Sequence, residues 1–382
     1  MTGPIHVVVA DDSPFVCRLL TSYLQSSPDF QVVGTALNGA RAVELVKELH
    51  PDAVTLDLEM PEMNGLKALE HIMHDCPTPV VLVSGVSRRA ASITLQALDM
   101  GAVDFVLKYT PGVDTNSETL RQEIMAKVRA ASQIKVIRSL RHRRPQDRET
   151  VPALRPLDRL GTTQAQDTAP PPAYLPTTPE VDDTPPERAQ RRDVLSFLPG
   201  GVVVIGASTG GPVALRELLS NLPADFPAAV IIVQHMPATF TGVLAVQLDR
   251  QVPFKVKEAE TGDRLQPGLA LVAPGGYHLL LQPDSRVELN QGTEIRGHRP
   301  SIDVTMQSVA QLYGARAKGV VLTGMGNDGS LGLVSIRVKG GKTFAQDAAS
   351  CVVSGMPQRA IEKGVVDHVA PPAKIAQLLG MT

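Results

Sequence analysis

The residue types best able to do chemistry sit where apolar runs end. "VVVIGASTGGP" (202–212) carries an apolar run straight into a glycine turn that holds Ser208. Such a turn can present a nucleophilic hydroxyl, cradle a phosphate or simply reverse the chain. "GASTG" matches G-x-S-x-G, the elbow that exposes a serine between a strand and a helix. A serine hydroxyl needs a base to become nucleophilic, and "AAVIIVQHMP" places His235 at the end of another apolar run. A third group must orient the imidazole and stabilise its cation. Asp328 answers that need, in the glycine-rich turn after the apolar run of "KGVVLTGMGNDGS". The same turn offers backbone N–H groups, Met325's among them, for an oxyanion.

Two other arrangements use the same residues. Ser208, Asp328 and His368 would follow the Ser, acid, His order of α/β-hydrolases, although His368 lies inside the strand-like run of "GVVDHVAP". A nucleotide phosphate on "GASTGG" would need a ribose-binding acid after the next strand, and that strand ends in Gln-His-Met-Pro.

A second constellation lies near the N-terminus. Asp11 and Asp12 follow "IHVVVA", Asp57 ends the run in "AVTLDL", Ser84 lies in "PVVLVSG" and Lys108 ends "AVDFVLK". Three carboxylates in one crevice repel one another unless a hard divalent cation binds through oxygen. Mg²⁺ suits the set Asp11, Asp12 and Asp57, because it keeps few protein ligands and completes its shell with water and phosphate oxygens. Asp57 is then a phosphoryl acceptor, with Lys108 and Ser84 holding the phosphoryl oxygens.

Both constellations need scaffolds that align strand ends. The chain has 382 residues, enough for two or three domains. Hydrophobic residues make up 43%, aromatics only 3%, and tryptophan is absent, so Val, Leu, Ile and Ala must fill the cores. That suits parallel sheets buried on both faces. Five apolar runs alternate with helical patterns before residue 142, which predicts a flavodoxin-like doubly wound α/β domain over 1–141. The alternation resumes over 199–382, where a second doubly wound α/β domain carries a β-rich insertion at "FKVKEAETGDRLQPGLALVAPGGYHLLLQPDSRVELN". Of the 31 prolines, 11 fall between Pro145 and Pro199, so 142–198 reads as a solvated linker. Its basic N-terminal edge, "KVIRSLRHRRP", reads as a helix end or a contact for an acidic partner.

A net charge of −2 and the lack of a basic helix-turn-helix pattern argue against nucleic acid as a partner. Cys17, Cys76 and Cys351 are odd in number and widely spaced, which fits a reducing compartment. With neither a signal peptide nor a spanning apolar run in view, the expected location is the cytoplasm.

The quoted motifs "VVADDS", "LDLEMPEMNGL", "LVSG" and "DFVLK" resemble the receiver domain of two-component response regulators. The resemblance implies phosphorylation of Asp57 by a histidine kinase, a requirement for Mg²⁺, and a switch that includes Ser84 and Phe105. Phe105 reads equally well as a core aromatic. Joined to "GASTGGP", "IVQHMPATFT", "KEAETGDRLQPG", "VAPGGYHL", "HRPSIDV", "LTGMGNDG" and "AQDAASCVVSGMP", the whole resembles the CheB family of chemotaxis protein-glutamate methylesterases. That resemblance implies Ser208 as nucleophile, His235 as base and Asp328 as its orienter. Thr209 lies beside the nucleophile, and Met325 offers its amide to the oxyanion.

The family hydrolyses glutamate γ-methyl esters on chemoreceptors, releasing methanol, and many members deamidate receptor glutamines. The esterase reaction needs no cofactor, and a monomer is expected. His298, Arg299 and Ser301 read as groove residues, with a helix cap as the other reading of Ser301. Cys351 reads as a small buried hydrophobe, and His278 has no evident partner. The competing class is a phospho-receiver whose second domain only binds a partner. The linker is longer than the family's usual short connection. A flexible tether of about 50 residues spans roughly 40 Å, which predicts weaker docking of the receiver and a higher basal activity.

Overall fold

The computed structural model describes residues 3–108, 118–134 and 201–381. The predicted linker and its basic edge lie outside those residues.

The N-terminal domain runs β1 (Ile5–Ala10), α1 (Pro14–Gln25), β2 (Phe30–Ala36), α2 (Gly39–Leu49), β3 (Ala53–Asp57), α3 (Gly65–Asp75), β4 (Val80–Ser84), α4 (Arg88–Asp99), β5 (Asp104–Leu107) and α5 (Glu118–Ser132). Its parallel sheet has the order β2-β1-β3-β4-β5. Strands β3, β4 and β5 are buried along their whole length, as their continuous apolar sequences require. Ser13, Asn38, Asn64 and Ser87 start the first four helices by accepting a first-turn amide. The order of strand addition reverses between β1 and β3, so the crevice at their carboxyl ends is where a doubly wound sheet binds its ligand.

The second domain contains β6 (Val202–Ala207), α6 (Gly211–Ser220), β7 (Ala229–Gln234), α7 (Ala238–Gln251), β8 (Lys255–Glu258), β9 (Leu269–Val272), β10 (His278–Leu281), β11 (Val287–Asn290), α8 (Ile302–Tyr313), β12 (Ala317–Val321), α9 (Ser330–Val338), β13 (Lys342–Gln346), α10 (Gly355–Glu362), β14 (His368–Ala370) and α11 (Pro372–Met381). Seven parallel strands are ordered β14-β13-β12-β6-β7-β9-β8. The β-rich stretch thus divides. Strands β8 and β9 extend the main sheet, and only the antiparallel β10–β11 hairpin stands apart. Alternate residues of β6 face opposite cores, Val203, Ile205 and Ala207 one and Val202 and Val204 the other, which is why the strand reads as an unbroken apolar run. The switch point here lies between β6 and β12, whose following turns carry Ser208 and Asp328.

The two domains meet through α4 and β5. Helix α4 packs against α6 and α7. The Asp99 carboxylate at its end pairs with Arg216 of α6 and accepts from Gln247 of α7 at 2.7 Å. Phe105 of β5 stacks on Phe240 of α7, with ring centroids 4.5 Å apart and planes 11° from parallel. Stacked aromatic pairs contribute about 0.5–1.5 kcal/mol beyond their area. Beside them Asp104 accepts from the Thr209 hydroxyl and lies 3.4 Å from the ammonium of Lys127 on α5.

Candidate active site

Ser208 follows β6 at once, and the turn that carries it is tightly constrained. Its amide donates to the Thr323 carbonyl at 3.0 Å, and its carbonyl accepts from Gly211 at 2.7 Å and from Gln234 Nε2 at 2.9 Å. Gly210 takes φ = 76°, a left-handed value that favours glycine, and a Cβ there would meet the Val352 side chain at 2.5 Å. Gly324 lets the β12 turn approach, since a Cβ on it would stand 2.7 Å from that of Ser208. Glycine on both sides therefore lets two turns close on one serine.

His235 follows β7 and lies on the same rim. Its side chain is only 7% exposed, and Nε2 lies 2.9 Å from Asp328 Oδ2. A carboxylate only accepts, so Nε2 carries the proton and Nδ1 keeps the lone pair. That Nδ1 is buried and has no hydrogen-bond partner among the described residues. No hydrogen bond joins Ser208 to His235 among the described residues; Gln234 Nε2 links the two backbones by bonding both carbonyls.

Asp328 is held from several sides. It accepts from the Ser301 hydroxyl at 3.0 Å and from the amides of Ile302 and Asp303 at 2.8 and 3.0 Å, at the N-terminus of α8. Burial alone would raise its pKa. The His235 hydrogen bond and those amides instead hold the carboxyl well below the usual carboxylate range. Its ionised state at neutral pH is thereby secured.

Thr209 is buried, and its hydroxyl is taken by Asp104 of the N-terminal domain. The amides of Thr209 and Met325 have no intramolecular acceptor among the described residues. Met325 is 37% exposed at the mouth of the turn. Ser301 stands at the helix-cap position but makes no side-chain cap bond, because its hydroxyl serves Asp328. His298 stacks on His235. Arg299 is turned to the Gln291 and Gly292 carbonyls.

The alternative partner His368 lies on β14, at the far edge of the sheet, where it stacks on Phe344. The structure joins Asp328 to His235 instead. Cys351 is half-buried rather than the fully buried hydrophobe expected; burial, reinforced by Asp347, pushes its thiol up to about 12, which leaves it unreactive. His278 is buried and does have partners: it meets the Thr293 carbonyl through Nε2 and accepts from the Ser301 amide at Nδ1. It and Gln234 are the supports that sequence reasoning missed. A buried polar residue at the end or start of an apolar strand was their only signal.

In the N-terminal domain the predicted set comes together. Carboxylate oxygens of Asp11, Asp12 and Asp57 lie within 4.8 Å of one another, a hard-oxygen donor set that fits Mg²⁺. Lys108 bridges Asp11 and Asp57 at 2.8 Å each. Burial pushes the Asp57 carboxyl up, against the lowering pull of Lys108. Ser84 is buried on the adjoining strand, with its hydroxyl 2.7 Å from that of Thr94. Phe105 is both core aromatic and interface residue, through Phe240.

Fold and site together define a receiver joined to an α/β domain of the hydrolase class. Residues 7–124 match the response regulator receiver domain, and residues 203–379 match the CheB methylesterase domain. The chain is 42% identical to a protein-glutamate methylesterase/protein-glutamine glutaminase of Symbiobacterium thermophilum, over 98% of this chain and 96% of that one. It is 41% identical to a group 1 operon enzyme of that name from Pseudomonas putida, over 96% and 95% of the two chains. A crystal structure of the Thermotoga maritima CheB methylesterase catalytic domain is 43% identical, covering 48% of this chain and 98% of that one, with a TM-score of 0.47. The chain belongs to the CheB family of protein-glutamate methylesterases/protein-glutamine glutaminases.

Proposed function

We propose that this chain removes methyl esters from glutamate side chains of chemoreceptors, and deamidates receptor glutamines, under control of Asp57 phosphorylation by a histidine kinase. The observation that carries the reading is the buried His235–Asp328 pair beside the constrained Ser208 turn, with the receiver packed against the adjacent Thr209. Ser208 Oγ attacks the ester carbonyl while His235 Nδ1 takes its proton, and Asp328 stabilises the imidazolium. The free amides of Thr209 and Met325 receive the oxyanion; one such donor is worth roughly 2.7–4 kcal/mol. Collapse returns the proton from His235 to the leaving ester oxygen, releasing methanol, or to the leaving amide nitrogen of glutamine, releasing ammonia. Water then cleaves the acyl-serine by the same proton route and frees the glutamate carboxylate. A module that only binds a partner has no need of a buried, ionised Asp328 behind the histidine.

In the receiver, Asp11, Asp12 and Asp57 would hold Mg²⁺, which supplies charge neutralisation for the transferring phosphoryl group. Lys108 leaves its bridge to Asp11 and Asp57 to bind the phosphoryl oxygens. It lies just beyond β5, whose Asp104 and Phe105 make the interface, so the strand links the phosphorylation site to the docked face. The chain acts as a monomer in the cytoplasm. Among the described residues, no helix is long and apolar enough to cross a membrane.

Mass spectrometry of a methylated receptor cytoplasmic fragment tests the reading. Methyl loss at glutamates and deamidation at glutamines are expected with the wild-type chain and absent with Ser208→Ala. An unaltered fragment after incubation with folded wild-type protein and phosphodonor would instead favour the partner-binding class.

A further inference from the structure

His235 is held at two points, its Cβ and the Nε2 bond to Asp328. Rotation about Cβ–Cγ swings Nδ1 and Nε2 to opposite sides of the ring plane, and a single hydrogen bond tolerates tens of degrees of misalignment. The Asp328 bond alone therefore does not fix the aim of Nδ1. What blocks the swing is the second ring: His298 lies face to face with His235, centroids 3.9 Å apart and planes 9° from parallel.

The loop that carries His298 is built to keep it there. Its backbone exchanges hydrogen bonds with Ile295 at 3.0 and 3.1 Å, and Gly297 takes φ = 77°. The neighbouring Arg296 is anchored to buried Asp303 at 3.0 Å. His298 has no role in the reaction as written above.

We propose that His298 is a positioning residue, whose ring clamps the face of His235 and aims Nδ1 at Ser208; this rests on the reading of His235 as the base. A second role follows from charge. The groups around His298 are His235, Asp328, Lys127 of α5 and Arg296, and burial is the largest influence on it. Burial and the three basic neighbours, opposed by Asp328, lower its pKa to about 4. The clamp thus stays uncharged while His235 becomes a cation beneath it, and a neutral ring face attracts a cation where a second imidazolium would repel it.

The test uses the full chain activated by phosphodonor, with methanol release from methylated receptor as the readout. His298→Ala is expected to lower kcat by about 10–100-fold, the loss typical of a misplaced catalytic group, and to leave KM nearly unchanged. His298→Phe, which restores a ring face, is expected to recover most of that loss. His298→Gln, polar but without a ring, is expected to behave like alanine, and it stands in should the alanine variant fail to fold. A raised KM at unchanged kcat would mean a groove residue and overturn the proposal, as would recovery by glutamine but not phenylalanine. Equal rates for wild type and His298→Ala overturn this assignment alone. No release from the wild-type chain overturns the hydrolase reading and this assignment with it.

Discussion

Asp99→Ala tests whether docking of the receiver restrains the enzyme, and it does so away from the reacting groups. The Asp99 carboxylate joins the domains twice, through Arg216 and through Gln247. Its side chain is 23% exposed and that of Arg216 30%, so solvent screens the ion pair and about 0.5–1 kcal/mol is a fair value for it. The amide of Gln247 adds a hydrogen bond to a charged acceptor, worth about 1.5 kcal/mol. Together they amount to about 2 kcal/mol, or roughly 30-fold in the docking equilibrium. Without phosphodonor, Asp99→Ala should therefore release methanol up to about 30-fold faster than wild type, capped at the activated rate. With phosphodonor the two should match. Exchanging the charges, Asp99→Arg with Arg216→Asp, should restore much of the restraint. Basal and activated rates of Asp99→Ala both equal to wild type would refute the reasoning, because the contact would then carry no inhibitory energy.

Two further outcomes follow from single residues. Asp57 has a folded-state pKa raised by burial, so its contribution to stability falls as pH rises from the unfolded pKa through the folded one. Asp57→Asn should therefore raise the receiver's melting temperature at neutral pH, more than it does in acid. Mg²⁺ at a hundred times its Kd should stabilise the wild-type receiver by about 2.7 kcal/mol and Asp57→Asn much less; equal melting shifts in both would remove Asp57 from the cation site. Ser301→Ala deletes one of the hydrogen bonds to Asp328 and leaves the amides of Ile302 and Asp303 in place. A bond to a charged group is worth about 1.5–3 kcal/mol, and with the amides sharing the load kcat should fall by about tenfold or less; a loss as deep as that of Ser208→Ala would show that Ser301 does more.

The sequence was most informative where strand ends carry side chains. An apolar run followed by Ser208, His235, Asp328, Asp11 or Asp57 marks a strand whose carboxyl end faces the crevice, and parallel order then brings those ends together. Supports were harder to read, since they act through geometry. Gln234 looks like any strand residue until its amide is seen bonding two carbonyls, and His278 matters only because Ser301 turns its amide toward it. The interface was least legible. Asp104 and Phe105 belong to an ordinary β5 pattern, and nothing in the spacing says that Thr209, 105 residues away, would lie against them. The strands β8 and β9 read as an insertion because each is only four residues long, yet β9 pairs with β7 and β8 with β9, which makes them part of the main sheet.

The most direct test of the account is the rate of methanol release from methylated chemoreceptor membranes, measured for wild type and Ser208→Ala with and without acetyl phosphate. The account predicts a wild-type rate that rises with acetyl phosphate and a Ser208→Ala rate indistinguishable from background in both conditions. Release that persists in Ser208→Ala would contradict the assignment of the nucleophile, and a wild-type rate indifferent to acetyl phosphate would contradict the coupling of the receiver to the site.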